Sequence, residues 1–273
     1  MLSMLDLDPK RTQILAIVND SFEIEENKLQ LASVVSSYDE NFSHFFNGVQ
    51  VEANENPRNI LKSVDLLIEE SVRYYYGVHK YYPENLVIFR GGKITENIEN
   101  IVDIELKKID CVLEKINSSI KLTVMLLNKK PYEKRAYISQ VGQNRLLSNA
   151  IFDSRCEPFA DSFDLCSHFN RIEPHMSTKY TVIRNDSMLS NEKLINLAYI
   201  SCQNYFRKNH IDVPTSFRYA EQCKERSKLH INIFCKERLN EGAKDVSDIQ
   251  LLIKSINNTI KVPFNLKSLP YYC

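Results

Sequence analysis

The residues best placed to do chemistry lie at the end of an apolar run. The run Leu86–Phe89 is followed directly by Arg90-Gly91-Gly92, and an apolar run that ends in Gly-Gly is typical of the end of a buried strand. Phosphodiester cleavage through two metal ions requires several carboxylates, sometimes aided by a histidine. Gly91 supplies no ligand, so this strand end carries no catalytic carboxylate.

Other common catalytic arrangements find little support in the sequence. No Ser-His-Asp or Cys-His order indicates nucleophilic hydrolysis. The chain has six glycines, which makes a Gly-rich phosphate loop hard to build. We therefore expect no enzyme of these classes.

The seven cysteines indicate free thiols. They are scattered and odd in number, with no CxxC pair and no Cys/His spacing suited to zinc. No signal-peptide pattern follows Met1 and no apolar run is long enough to span a membrane. We expect mostly buried thiols in a reducing compartment, the cytoplasm or alternatively the nucleus, and no metal, cofactor or membrane partner.

Charge is balanced over the whole chain. Lys and Arg number 35, and Asp and Glu also number 35, in 273 residues. Overall charge therefore gives no attraction to phosphate, and any nucleic-acid site must be a local patch. A chain of this length buries a full core as one globular module.

Strand and helix signals alternate along the chain. Apolar runs predict strands over 13–18, 29–36, 86–89, 121–127 and 180–183. Apolar residues at helical spacing predict helices over 60–76 and 98–116, and 191–207 is also predicted to be helical. Strands separated by helices favour an α/β fold in which helices cover a sheet.

Four segments together resemble the Piwi domain of the Argonaute family. The end of the 86–92 run is similar to the family's Tyr-Arg-Asp-Gly strand end, with Gly91 where the Asp would stand. The other three follow in the family's order. Residues 162–168 resemble its Phe-Asp-Phe-Tyr-Leu-Cys-Ser-His signature, and residues 178–186 resemble its His-Tyr-x-Val-Leu-x-Asp-Asp strand. Residues 213–230 resemble its Ile-Pro-Ala-Pro to Arg-Tyr-His-Leu segment.

The resemblance implies a ribonuclease H-like Piwi domain with a mixed central sheet flanked by helices. We assign residues 1–12 to an N-terminal extension and 13–273 to the Piwi domain, with no PAZ or MID domain in this chain. The implied partners are a small guide RNA, its complementary target RNA and silencing-complex proteins.

The family's four metal-binding positions fall on residues that mostly lack carboxylates. By the resemblance they are Val18, Asn59, Gly91 and Glu221. Asp20 shares a strand face with Val18, so a rebuilt site using Asp20, Glu221 and Asp153 is the remaining route to slicing. Even with Asp20 and Glu221 as ligands, two of the family's four metal-binding groups are lost, so we expect no slicer activity.

Basic positions that would hold a guide strand are better kept. The resemblance implies RNA contacts at Lys129, Lys130, Lys134, Arg207, Tyr219 and Arg226. Contacts to phosphate give affinity without sequence information, which suits a protein whose specificity comes from a paired guide.

Each of these positions also has a structural interpretation. Lys129 and Lys130 are equally typical of a solvated turn. Arg207 at a helix end would interact with the helix dipole. Arg226 would be a plain surface arginine, and Tyr219 would pack in the core.

Two functions therefore follow from the sequence. The first is a catalytically inactive, Argonaute-like protein that binds a small guide RNA and silences targets without slicing. The second is a Piwi-fold protein-interaction module or truncated paralogue that binds no RNA.

Overall fold

An eight-stranded mixed sheet forms the centre of the molecule, in the order β3-β2-β1-β4-β5-β8-β7-β6. The structure is a computed structural model that describes residues 7–24, 27–54, 60–91, 101–131, 150–153, 162–166, 176–203, 205, 213–240, 249–261 and 267. Its strands are β1 Thr12–Ile24, β2 Asn27–Ser37, β3 Phe45–Ala53, β4 Asn85–Gly91, β5 Lys121–Pro131, β6 Ala150–Asp153, β7 Ser162–Cys166 and β8 Met176–Asn185.

The strand directions are those of a ribonuclease H-like sheet. β1 pairs antiparallel with β2, and β2 with β3, while β1, β4 and β5 run parallel. β8 returns antiparallel against β5, followed by β7 and β6. The predicted α/β fold with a mixed sheet is confirmed.

The helices cover both faces of this sheet. The described α-helices are α1 Val64–His79, α2 Lys107–Asn117, α3 Asn191–Ser201, α4 Thr215–Asn240 and α5 Ile249–Ile260, with a π-helix over Ile101–Leu106 that leads into α2. The predicted helices over 60–76 and 98–116 correspond to α1 and to the π-helix with α2. The helix predicted over 191–207 ends at Ser201.

Alternation along the strands places buried side chains on both faces of the sheet. Leu15 and Ile17 of β1 face α1 and α2, whereas Ala16 and Val18 belong to the cluster that includes residues of α3 and α4. Because successive side chains of a strand point to opposite faces, Asp20 lies on the same side as Val18. Gly91 lies on the side of Phe89, which is in the α3–α4 core.

Helix α1 begins later than predicted because a carboxylate on β3 holds the preceding turn. Glu52 accepts hydrogen bonds from the backbone N–H groups of Lys62 (2.8 Å) and Ser63 (2.7 Å). Ser63 is the N-cap residue of α1, whose N–H has no intrahelical partner, and Lys62 directly precedes it. Ile60 and Leu61, part of the apolar pattern, are buried just ahead of the helix.

The cysteines that the structure describes with their side chains are free thiols, as predicted. Cys202, Cys223 and Cys235 are buried, and Cys111 is exposed. Among the described helices, none is both long and apolar enough to cross a bilayer.

Candidate nucleic-acid interface

Helix α4 carries a stripe of side chains over the end of β4 and the neighbouring part of β1. Phe217, Glu221, Lys224 and Lys228 are spaced three or four residues apart, so they lie along one side of the helix. The helix is tied to the sheet where Ser33 of β2 donates a hydrogen bond of 2.8 Å to the carbonyl oxygen of Ala220. This stripe faces the strand positions at which the resemblance placed metal ligands.

Apolar side chains close the space above Gly91. A Cβ atom at position 91 would lie 2.9 Å from Cε2 and 3.0 Å from Cζ of Phe217, and 3.3 Å from Cγ1 of Val18. Val18 is 4% exposed and Phe217 is 6% exposed. Two predicted metal-binding positions, Val18 and Gly91, are therefore brought together, but a phenyl ring fills the space beside them.

Asp20 is held by two lysines of α4. Its Oδ2 lies 2.5 Å from Nζ of Lys228 and 3.7 Å from Nζ of Lys224. A carboxylate paired with fixed ammonium groups already has the counter-charge that a metal ion would supply. Asp20 thus serves as an anchor for α4 on β1.

Glu221 has a cationic partner on its own helix. Nη1 of Arg218 donates to Oε2 of Glu221 over 3.1 Å. Burial acts to lower the pKa of Arg218, but hydrogen bonds to Glu221 and Tyr205 outweigh it and raise that pKa. The carboxylate at the fourth predicted metal position is therefore next to a permanent positive charge.

The remaining metal positions do not complete a site. Asn59 lies outside the described residues. Asp153 ends β6, five strand spacings from β1 in the sheet order, or roughly 24 Å at the usual interstrand distance. The rebuilt site of Asp20, Glu221 and Asp153 is therefore wrong, because the sheet keeps Asp153 far from β1. Within the described ranges, no three His, Cys, Asp or Glu side chains are grouped as a metal site requires.

Arg90 points away from α4 into the opposite core. Its Nε and Nη2 donate to the two carboxylate oxygens of Glu105 over 2.9 and 3.0 Å, and its Nη1 donates to Oδ1 of Asn19 over 2.7 Å. Glu105 also accepts from the N–H of Leu61 over 2.8 Å. This buried network fixes the end of β4 against β1 and the π-helix.

An open groove of about 650 Å³ lies beside α4. Its described lining is Arg218, Glu221, Gln222, Lys224, Glu225, Arg226, Leu229, His230 and Ile233. Arg226, a predicted phosphate contact, is thus placed on a surface groove with other cations nearby. Leu229 and Ile233 add exposed apolar surface, at 64% and 58% exposure.

The other predicted RNA contacts are less fully placed. Lys129 and Lys130 lie in β5, paired with Thr178 and Ser177 of β8. Their backbone is therefore in a strand ladder, and the interpretation as a turn is wrong. Lys134 and Arg207 lie outside the described residues.

Tyr219 is a core residue. It is 5% exposed, and its ring lies 5.2 Å from that of Phe45 and 5.3 Å from that of Tyr205, centroid to centroid. A ring buried between two others has no open face for a base. Of the two roles predicted for Tyr219, the structure shows core packing, and the prediction of RNA contact is corrected.

Comparison with protein families decides which fold family this sheet represents. The family model described as "Piwi domain" matches residues 12–232, most of the chain. The chain belongs to the Piwi domain family.

Two curated relatives of this Piwi domain are plant Argonaute proteins. Protein argonaute 7 of Arabidopsis thaliana is 24% identical over 225 residues, covering 79% of this chain and 22% of its own length. Protein argonaute 3 of Oryza sativa subsp. japonica is 21% identical over 206 residues, covering 73% of this chain and 18% of its own length. The chain thus spans about a fifth of the length of these relatives.

Solved structures share the fold of this Piwi domain. The C-terminal lobe of a budding yeast Argonaute superposes with a TM-score of 0.77 at 19% identity, over 95% of this chain and 53% of that one. The Kluyveromyces polysporus Argonaute, solved with a guide RNA, gives a TM-score of 0.74 at 19% identity, over 95% of this chain and 32% of that one. At this identity the likeness supports the fold alone.

Three residues of the Piwi domain escaped the sequence interpretation. Phe217, Lys224 and Lys228 form the α4 stripe together with Glu221, but no sequence motif distinguishes them. The available signal was their spacing from Glu221, since residues four before, three after and seven after it lie along one side of a helix. It would have required predicting α4 first.

Proposed function

We propose that this Piwi domain binds a small guide RNA and silences complementary target RNA by occupancy and by recruiting silencing-complex proteins, without slicing. A cytoplasmic site of action, or alternatively a nuclear one, is part of the proposal. The observation that carries it is the contact of Phe217 and Val18 with Gly91, which fills the place of a metal-binding side chain.

The chemistry of slicing supports the inactive half of the proposal. Two-metal cleavage requires carboxylates that converge on two cations. Position 91 has no space for a side chain, while Asp20 and Glu221 are paired with Lys228 and Arg218. A divalent ion would have to displace these cations and the phenyl ring together.

Family membership and the basic positions support the RNA-binding half. A relative of the same fold, the Kluyveromyces polysporus Argonaute, was solved with a guide RNA. In this chain Arg226 lines an open groove on α4, and Lys129, Lys130, Lys134 and Arg207 occupy the other positions implied for guide phosphates. A local basic surface is sufficient for phosphate contacts even in a chain of zero net charge.

The proposal is tested by purifying the endogenous protein and labelling the 5′ ends of any RNA that accompanies it. We expect a discrete band of short RNA that is lost in the double variant Arg207→Ala with Arg226→Ala. The matched control is Arg73→Ala, which removes an exposed arginine of α1 whose partner is Glu69. Loss of RNA in the control as well would show that general surface charge, and not these positions, binds RNA.

A protein-interaction module is the second candidate function. The exposure of Leu229 and Ile233 on α4 favours it, because exposed apolar side chains four residues apart on a helix are typical of recognition surfaces. Intact protein that carries no RNA above background would support this function over guide binding.

A further inference from the structure

Five charged groups of α4 and β1 stand together around Asp20 of β1. The carboxylates are Asp20 and Glu221, and the cations that contact them are Arg218, Lys224 and Lys228. Three cations thus face two carboxylates, and the neighbouring Glu225 and Arg226 add one charge of each sign. The cluster retains one positive charge in excess, at the place where a slicing enzyme would hold divalent ions.

The two lysines differ in how firmly they are engaged. Lys228 lies 2.5 Å from Asp20, a close charge-assisted contact. Lys224 lies 3.7 Å from Asp20 and 3.3 Å from Oε1 of Glu225, both longer than the 2.7–2.9 Å typical of such bonds. An ammonium group has three N–H donors, so Lys224 retains capacity for a closer acceptor.

Lys224 also connects the cluster to the surface. Its side chain is 15% exposed and lines the groove of about 650 Å³ that Arg226 and His230 also line. Lys228 is not among the described lining residues. An anion in the groove would therefore meet Lys224, whereas Lys228 stays with Asp20.

We infer that Lys228 takes the place of a divalent cation at Asp20, and that Lys224 binds a backbone phosphodiester of an RNA strand in the α4 groove. The inference rests on the proposed function, because it assigns the RNA a second contact at the same interface. Its consequence is that RNA binding requires no divalent metal. The fixed ammonium groups supply the positive charge and cannot activate water for cleavage.

The first experiment measures the affinity of the full chain for a 3′-labelled single-stranded RNA with a 5′-hydroxyl, in EDTA, over a series of salt concentrations. Lys224→Gln should bind about tenfold more weakly, as expected for the loss of a charged hydrogen bond. The slope of log K against log salt should fall by about 0.7, the value for one phosphate of a single strand. Lys224→Arg should restore both quantities, and Lys115→Gln, an exposed residue of α2, should change neither by as much.

The second variant predicts a change of opposite sign. Asp20→Asn removes a negative charge beside Lys224 and should tighten RNA binding in EDTA. If Asp20 instead held a metal ion, the same variant would weaken binding, and only in the presence of Mg²⁺. Thermal melting of each variant shows whether it is folded.

The outcomes separate this inference from the proposed function. Wild-type protein that binds no RNA would overturn both. Wild-type protein that binds RNA equally well with Lys224→Gln would overturn the inference alone, as would binding that depends on Mg²⁺. An effect of Lys224→Gln seen with 5′-phosphorylated RNA and not with 5′-hydroxyl RNA would assign Lys224 to a terminal phosphate and contradict the internal contact.

Discussion

The ring of Phe217 lies against the Cα of Gly91 so closely that no side chain fits at position 91. A Cβ there would approach Cε2 of Phe217 to 2.9 Å, a separation that packed side chains do not adopt. Because Phe217 is itself buried in the core between α4 and the sheet, it cannot move aside without repacking. The end of β4 therefore packs against α4 and leaves no room for a metal-binding side chain at position 91.

Gly91→Ala should destabilise the protein by about 1–3 kcal/mol, the usual cost of overpacking a core. Urea denaturation measures this loss. The matched control is Gly77→Ala in α1, where an added Cβ meets nothing within 4 Å and the free energy of unfolding should rise by about 0.5–1 kcal/mol. Equal losses at both positions would contradict the contact with Phe217.

The same contact predicts coupling between the two positions. Combined with Phe217→Leu, Gly91→Ala should destabilise by less than the sum of the single changes, because the smaller side chain relieves the overlap. A double-mutant cycle in urea measures the difference. Strict additivity would show that the ring and the glycine do not interact.

Glu105→Ala should cost about 3–5 kcal/mol of unfolding free energy, since it leaves the buried charge of Arg90 without its carboxylate partner. The control is Glu69→Ala, which breaks an exposed pair with Arg73 and should cost less than about 0.5 kcal/mol. Both values come from urea denaturation. A small loss in the Glu105 variant would mean that Arg90 finds another buried acceptor.

The buried thiol of Cys223 should make the protein less stable at high pH. Burial raises the pKa of Cys223 from 9.0 to about 12, although hydrogen bonds to Ser33 and Ser227 act to lower it. Between these two values the unfolded chain loses the proton and the folded chain keeps it, so this contribution to stability is complete below pH 9 and is lost as pH rises toward 12.

Denaturation at pH 8 and pH 10 tests this. Wild type should lose about 1 kcal/mol more between the two pH values than Cys223→Ala does, because all other titrating groups are shared. An identical pH dependence in the two proteins would show that the thiol titrates normally in the folded state.

Divalent ions should leave the thermal stability unchanged. A ligand that binds only the folded state raises Tm by mass action. Among the described residues, Phe217 fills the space beside Val18 and Gly91, Glu221 is paired with Arg218, and Asp20 is paired with lysine. Melting in Mn²⁺ and in EDTA at matched ionic strength should give the same Tm. A rise in Tm that Asp20→Ala abolishes would reveal a metal site.

The sequence predicted the strands that are buried on both faces. β1 and β4 read as continuous apolar runs because parallel central strands have helices on both sides, and the helical spacing of apolar residues located α1. β3, β6 and β7 were not predicted as strands. In β3 the Asn47-Gly48 pair is typical of a hairpin turn, which weakens the strand signal. In the structure Asn47 lies inside the strand, and its side chain donates a hydrogen bond of 3.0 Å to the carbonyl oxygen of Lys267.

The candidate site was predicted only in part, for a physical reason. The identity of residue 91 alone shows that the carboxylate is lost. That Phe217 fills the space instead depends on where α4 crosses the sheet. Asp20 likewise has a strand neighbour in sequence, whereas its lysine partners come from a helix about 200 residues later. Contacts between distant segments are set by packing and leave no local pattern.

The most direct test of the whole account is to load the purified protein with a guide RNA and add a 5′-labelled complementary target, in Mg²⁺ and in EDTA. Retention and cleavage of the target are measured in the same samples. We expect the target to be retained to a similar extent in both and to remain intact. Mg²⁺-dependent cleavage that is lost on Asp20→Ala would contradict the account, and so would failure to retain the target.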